Sequence, residues 1–274
     1  MELRNVAIIA HVDHGKTTLV DGLLKQSKTF RDNEAEMSQI LIMDSSDQER
    51  ERGITILAKN TAINYKDVKI NIIDTPGHAD FGGEVERTLN MADGALLLID
   101  AQEGPMAQTK FVLKKALEIG LIPIVVINKI DKRDAHIADT INKTCDLFLD
   151  LATDDSQLDF PIYFCISREG KAWDELPNDL TAPADLTPIF EAILKYVPAP
   201  KADTHKPFQM LVTNLDWDSY QGKYAIGRIS NGIAKQGLPI SIVNADGIKE
   251  TGKIEKVYVN QGLKKLAVAE AQAG

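Results

Sequence analysis

The sequence predicts an α/β domain built on a mostly parallel sheet, followed by a small β-barrel. Three observations carry this expectation. Apolar runs alternate with amphipathic stretches from residue 5 to residue 198. Three polar strings fall where apolar runs end: Asp13-His14-Gly15-Lys16-Thr17-Thr18, Asp74-Thr75-Pro76-Gly77-His78 and Asn128-Lys129-Ile130-Asp131. Past Pro198-Ala199-Pro200 the texture changes to short β-rich runs broken by turn residues. Alternating strand and helix patterns mean parallel strands with crossover helices, and ligands bind beyond the C-terminal strand ends.

Taken in order, strands are predicted at Val6–His11, Val68–Asp74, Ala95–Asp100, Pro123–Asn128 and Pro161–Ile166. Helices are predicted at Thr17–Gln26, Gly82–Met91, Ala107–Ile119, Ile137–Ala152 and Thr187–Val197. Residues 28 to 53 do not fit the alternation; the stretch is polar and long for a connection, and such segments are usually functional or disordered. The run Asp47-Gln48-Glu49-Arg50-Glu51-Arg52 reads first as a solvated helix face. Its place just before Gly53-Ile54-Thr55-Ile56 makes a mobile switch the sharper alternative. A polar linker runs to about Pro207, and turn signals follow at Ser230-Asn231-Gly232, Gln236-Gly237 and Ala245-Asp246-Gly247. The alanine-rich end, Ala267 to Gly274, offers no closing strand, so the barrel is expected to be incomplete. The expected domains are residues 1–200 and 201–274.

Composition narrows the class. The 274 residues suffice for one large domain and a small one. The longest apolar stretch, Leu121 to Ile127, is too short to span a bilayer. Val6 to Ala10 feeds straight into the glycine-lysine loop, which makes it a first strand and not a secretory signal. Cys145 and Cys165 have no neighbours at metal-ligand spacing and read as free thiols in a reducing compartment. A cytoplasmic protein is expected. The net charge of −9 argues against free nucleic acid as the main ligand. It leaves room for docking on a ribonucleoprotein through a local basic face.

The first polar string has the chemistry of a phosphate loop. The usual pattern is G-x-x-x-x-G-K-[ST]; here Ala10 stands at the first glycine position of the octet ending at Thr17. Gly15 lets the backbone pass close to phosphates, and Lys16 supplies a positive charge near the β- and γ-phosphates. Thr17 offers a hydroxyl to Mg²⁺. The N–H groups from Asp13 to Thr18 open the first helix, whose dipole favours an anion. Asp74, ending its strand, can hold water of a Mg²⁺ shell, which Thr55 can complete. Gly77 can sense the last phosphate through its N–H, giving ordered and released states. Alone, this string could be a glycine turn with an exposed lysine.

The third string selects a base. Asp131 can accept from guanine N1–H and N2–H₂, which adenine lacks; hydrogen-bonding sites of this kind discriminate by about 10⁴–10⁵. Asn128 can fix the base edge and the loop, Lys129 can lay its stem across the ring, and Ile130 completes the string. Alone, it could be an ordinary strand-to-helix loop; beside the phosphate strings it is not read that way. The same residues argue against an ATP-using P-loop protein.

At this point the sequence resembles the translational GTPases of the elongation-factor group, and most closely the BipA/TypA family. The resemblance is carried by Arg4 to Lys16, Met43-Asp44, Glu49 to Asn60 and Asp80 to Arg87. It continues in Asp218-Ser219-Tyr220-Gln221-Gly222 and Ala225-Ile226-Gly227-Arg228-Ile229. The Gly82-Gly83-Glu84-Val85-Glu86-Arg87 run separates it from the EF-G and LepA types. Family members are longer, so an N-terminal fragment is expected. Their fifth guanine loop reads Ser-Ala-Leu, whereas here it is Cys165-Ile166-Ser167-Arg168; a Ser167 backbone contact to the base needs no particular side chain.

The resemblance implies a P-loop GTPase domain that turns GTP and water into GDP and phosphate with Mg²⁺. It implies a switch associated with the ribosome, its RNA and proteins, in translation or ribosome assembly under stress. His78 would orient the attacking water, flanked by Val12 and Ile54. Arg50, Arg52 and Arg87 are the candidate arginines, none assignable as a built-in finger, so slow turnover without the ribosome is expected. The alternatives are a nucleotide-gated ribosome-binding module with negligible turnover, and a related factor of the EF-G or LepA type. A monomer is expected. Trp173 and Trp217 read as packing residues and not as base platforms.

Overall fold

The computed structural model describes residues 2–27, 59–75, 82–218, 222–244, 247, 249–262 and 264–274. The chain divides into two compact units, Met1–Ala199 and Pro200–Gly274.

The first unit runs β1 (Glu2–Ala10), α1 (Lys16–Gln26), β2 (Lys59–Tyr65), β3 (Val68–Asp74), α2 (Gly82–Leu89) and β4 (Gly94–Asp100). It continues with α3 (Ala107–Glu118), β5 (Ile122–Asn128), α4 (Ile137–Leu151), β6 (Ile162–Ile166), β7 (Lys171–Trp173) and α5 (Thr187–Tyr196). One sheet holds all seven strands in the order β2-β3-β1-β4-β5-β6-β7. The inner five are parallel, and β2 and β7 are antiparallel edges.

The sequence explains this layering. Every residue of β4 is buried, as are Asn5 to Ala10 of β1. Near-continuous apolar strands are the mark of a sheet covered on both faces. In α3 the buried positions are Thr109, Val112, Leu113, Ala116 and Leu117, a helical stripe. That stripe joins Val85 and Leu89 of α2 and Phe148 of α4 in one core beneath the sheet. Phe148 stacks on Phe160 with ring centres 3.9 Å apart, and Tyr65 of β2 stacks on Phe190 of α5 at 4.5 Å.

The predicted strands and helices of this unit are all present, and β2 and β7 are additional. β2 reaches β3 through a two-residue turn, Lys66-Asp67, with Lys66 at φ 52°. Hairpins of this length favour Asn-Gly or Asp-Gly. A lysine in that place gives no turn signal, so the edge strand was illegible. β7 is only three residues long, too short for an alternation pattern.

The strands of the second unit pair antiparallel, beside one isolated parallel bridge between Asp203 and Asn231, and the unit is barrel-like. Its strands are β8 (Gln209–Asp218), β9 (Gly222–Asn231), β10 (Ile233–Lys235), β11 (Pro239–Val243), β12 (Lys249–Lys253), β13 (Val257–Gln261), β14 (Lys264–Val268) and β15 (Glu270–Gln272). They pair as β8–β9, β10–β15, β11–β12 and β13–β14. The expectation that Ala267 to Gly274 has no strand of its own is corrected here. β15 pairs with β10, setting Ala271 opposite Ala234, and the Ala273 and Gly274 N–H groups donate to the Gly232 and Ile229 carbonyls at 3.0 Å. Alanine is depleted in strands and hides the pattern. The pairing itself needs only backbone groups, and Ala234 and Ala273 are buried where small side chains suffice. Among the described residues no helix is long and apolar enough to cross a membrane.

Gly94 opens β4 in a crowded place: a Cβ there would lie 2.6 Å from a Val197 methyl and 3.2 Å from the Ile122 carbonyl oxygen. Overpacking of this kind typically costs about 1–3 kcal/mol. Gly94→Ala should therefore lower the denaturant midpoint of unfolding without changing the slope. An unchanged midpoint would contradict the packing described.

Candidate nucleotide site

β1 has β3 on one side and β4 on the other. The chain leaves β1 and later returns on both flanks, which is the switch point where α/β sheets bind ligands. The loop after β1 turns through Asp13 at φ 64° and Gly15 at φ 95° into α1. Gly15 caps α1 with no side-chain hydrogen bond, and the first helical bond is Leu19 N–H to the Gly15 carbonyl at 2.9 Å. The N–H groups of Lys16, Thr17 and Thr18 therefore precede the helical ladder and point out of the helix end. With the helix dipole they form a seat for an anion. Gly15 has a second reason besides room for phosphate: a Cβ there would lie 2.5 Å from Asn128 Nδ2.

His14 is tied at each polar atom. Its N–H donates to the His11 carbonyl at 3.2 Å, and its carbonyl accepts from Asn128 Nδ2 at 2.8 Å. Its ring is fully buried; Nδ1 accepts the Asp100 N–H at 3.3 Å and Nε2 faces the Glu103 carboxylate at 3.2 Å. Nδ1 also lies 3.4 Å from the Leu98 carbonyl, so its role there and that of Nε2 toward Glu103 follow from which ring nitrogen carries the proton. Burial pushes the imidazole pKa down and favours a neutral ring. The side chain of His14 thus holds the loop from behind.

Two strand-end carboxylates flank the loop. Asp74, at the end of β3, meets the Lys16 ammonium at 2.9 Å, and that ammonium also donates to the Thr75 carbonyl. The Thr75 hydroxyl returns to the Ile8 carbonyl at 2.6 Å, fixing β3 against β1. Asp100, at the end of β4, meets Lys129 at 2.8 Å and Lys132 at 3.0 Å and accepts the Gln102 N–H at 2.8 Å. Burial alone would raise the Asp100 pKa. The Lys129 ammonium, the Gln102 N–H and the Lys132 ammonium outweigh it and bring it to about 2.

The string Asn128-Lys129-Ile130-Asp131 lies at the end of β5. Asn128 is buried and reaches two other loops: Nδ2 holds the His14 carbonyl, and Oδ1 accepts the Ser167 N–H at 3.0 Å and the Ser167 hydroxyl at 2.9 Å. Lys129 has a left-handed backbone, φ 60°, and its ammonium also donates to the Asp13 carbonyl. Ile130 turns into the apolar core, so its side chain is structural. Asp131 is partly exposed and lies 3.5 Å from the Arg168 guanidinium. Cys165 sits beneath this turn with Sγ 3.3 Å from the Ser167 hydroxyl, and burial pushes its thiol pKa up to about 12.

Asp13, His14, Gly15, Lys16, Thr17, Thr18, Asp74, Asn128, Lys129, Asp131 and Ser167 are thus placed at the C-terminal ends of β1, β3, β5 and β6. Thr55, Gly77, His78, Ile54 and the charged run from Asp47 to Arg52 lie outside the described residues. Sequence reasoning missed Asp100, Glu103 and Lys132. Asp100 carried a usable signal, being a carboxylate at a strand end like Asp74.

The donors suit a hard cation. Asp74 contributes carboxylate oxygens and Thr17, in the first turn of α1, a hydroxyl, which is oxygen chemistry of the Mg²⁺ kind. Among the described residues no three His, Cys, Asp or Glu side chains gather around one point.

Comparison with known proteins places these features in a family. The family described as the elongation factor Tu GTP binding domain matches residues 1–199. A Synechocystis protein named large ribosomal subunit assembly factor BipA is 54% identical over 274 residues, covering 100% of this chain and 45% of the relative. Its namesake from Bacillus subtilis is 51% identical over 274 residues, covering 100% of this chain and 44% of the relative. The chain thus spans about half the length of the curated relatives it matches. The crystal structure of a bacterial selenocysteine-specific elongation factor, EF-Sec, superposes with a TM-score of 0.73 at 24% identity, covering 100% of this chain and 41% of the other. At that identity the likeness speaks for the fold.

The raised thiol pKa makes Cys165 inert below strongly alkaline pH. Alkylation of the folded protein at pH 8, followed by mass spectrometry, should leave Cys165 unmodified, while denatured protein takes label there. Labelling at the denatured rate would contradict its burial.

Proposed function

The chain belongs to the elongation factor Tu GTP-binding domain family, and from that premise we propose that it binds GTP with Mg²⁺, hydrolyses it to GDP and phosphate, and serves as a ribosome-associated switch. The observation that carries this reading is the Asn128 side chain. It joins the phosphate loop to the loop after β6 and so gathers phosphate and base chemistry at one edge of the sheet. The ribosome enters through the name of the curated relatives, a large-subunit assembly factor. Residues 1–200 are the GTP-binding domain and 201–274 a barrel domain in this reading, in a cytoplasmic monomer.

Each residue has a task. The N–H groups of Lys16, Thr17 and Thr18 take phosphate oxygens, and Lys16 exchanges Asp74 and the Thr75 carbonyl for the β- and γ-phosphates. Thr17, Thr55 and Asp74 hold Mg²⁺, which when bound neutralises charge on the transferring phosphoryl group. Gly77 senses the third phosphate and His78 orients the attacking water. Asp131 leaves Arg168 and accepts from the guanine edge, while the Lys129 stem covers the ring. Ser167 steadies Asn128 from the far side.

Calorimetric titration should show magnesium-dependent binding of GDP and a non-hydrolysable GTP analogue and none of the ATP analogue. No measurable guanine-nucleotide affinity would overturn the reading. Asp131→Asn should shift preference toward xanthosine nucleotides, whose 2-oxo group suits an amide donor; unchanged guanine selectivity would remove Asp131 from the site.

His78→Ala should keep nucleotide affinity within about twofold and abolish ribosome-stimulated turnover, a loss of about 10²–10⁴ for a positioned proton-transfer or water-orienting group. Lost binding would instead give His78 a structural role. Steady-state phosphate release with and without ribosomes supplies the measurement.

A further inference from the structure

Asp100 is fully buried at the end of β4, the strand between β1 and β5. The phosphate loop leaves β1 and the base loop leaves β5, so Asp100 stands between the two. Its backbone N–H reaches the His14 ring at 3.3 Å, on the phosphate side. Its carboxylate reaches Lys129 at 2.8 Å, on the base side. Lys129 in turn donates to the Asp13 carbonyl, closing a circuit of Asp100, Lys129, Asp13 and His14.

We propose that Asp100 is a positioning residue for the bound nucleotide: through Lys129 it locks the base loop onto the phosphate loop and slows release. The inference rests on the nucleotide reading above. A buried carboxylate is costly unless it is paired, so the site commits a cation to Asp100. A lysine stem carries much rotamer freedom, and fixing its ammonium fixes the stem. Lys129 is held by Asp100 at one point and by a backbone carbonyl at another, with its own backbone in the left-handed region. A stem held in this way is ready to cover a purine before the purine arrives, which is preorganisation. Lys132, at 3.0 Å, is the competing explanation. If Asp100 existed to neutralise Lys132 or to shape the turn at Gln102, it would be a fold residue with no direct bearing on the ligand.

Release of a fluorescent GDP analogue in magnesium buffer, followed by stopped flow on the whole chain, separates these cases. Asp100→Asn keeps the size of the side chain and an acceptor for the Gln102 N–H, and removes the charge that holds Lys129. It should release the analogue about tenfold faster, the equivalent of one charge-assisted hydrogen bond. Lys129→Met should also release faster, and adding Asp100→Asn to it should change nothing further. An equal acceleration by Asp100→Asn in both backgrounds marks a purely structural effect and overturns the proposal, as does an unchanged rate in the single variant. Lys132→Met gives a test that does not depend on Asp100→Asn folding. It should leave release within about twofold of the parent, because the bond from Asp100 to Lys129 stays. Release accelerated by Lys132→Met overturns the proposal. Failure of the parent protein to bind the analogue is a different result and overturns the nucleotide reading itself.

Discussion

The Asn128 carboxamide donates to the His14 carbonyl and accepts from both the N–H and the hydroxyl of Ser167. These three residues lie far apart in the chain and follow three different strands. One buried side chain therefore sets the distance between the loop that can hold phosphates, the loop that can read a base, and the turn that backs it. A buried amide left without partners would be costly, so the three loops are held together by the need to satisfy it. Gly15 follows from the same contact, since the amide nitrogen occupies the place where its Cβ would be.

Around this amide the charges are arranged in matching pairs. Asp74 on β3 holds Lys16, and Asp100 on β4 holds Lys129, one on either side of β1. Both carboxylates are buried at strand ends, where parallel strands bring their termini to one edge. Burial penalises each charge, and a lysine beside it offsets the penalty. Lys16 at the start of α1 and Lys129 after β5 are thereby held with few alternative positions. His14 joins the two halves, with its ring accepting from the backbone of Asp100 and its carbonyl held by Asn128.

Much of this was legible. β3 was read at its observed limits, because Lys69 to Asp74 places apolar residues where a sheet covered on both faces needs them. The five helices were read from their apolar stripes. The edge strands were not legible, since β2 turns on Lys66-Asp67 and β7 has three residues. The strand β15 is hidden by alanines, whose pairing runs through backbone groups that any residue owns. Ile130 stands in the string with Asn128, Lys129 and Asp131, yet its side chain faces the core. The strand-end carboxylate of Asp100 is visible in the sequence, but its partner Lys129 is distant in the chain and only the fold brings the two together.

By itself the sequence determined the alternation of strands and helices, the three polar strings at strand ends, and the order in which they occur. Those depend on residue type and spacing along one chain, which periodicity and motif record directly. Only the tertiary structure decided which side chain answers which: Asn128 with His14 and Ser167, Lys129 with Asp100, Asp131 with Arg168. Such pairings depend on which strands become neighbours in the sheet. Strand order is settled by burial of the whole apolar surface at once, a property that no single stretch of sequence carries.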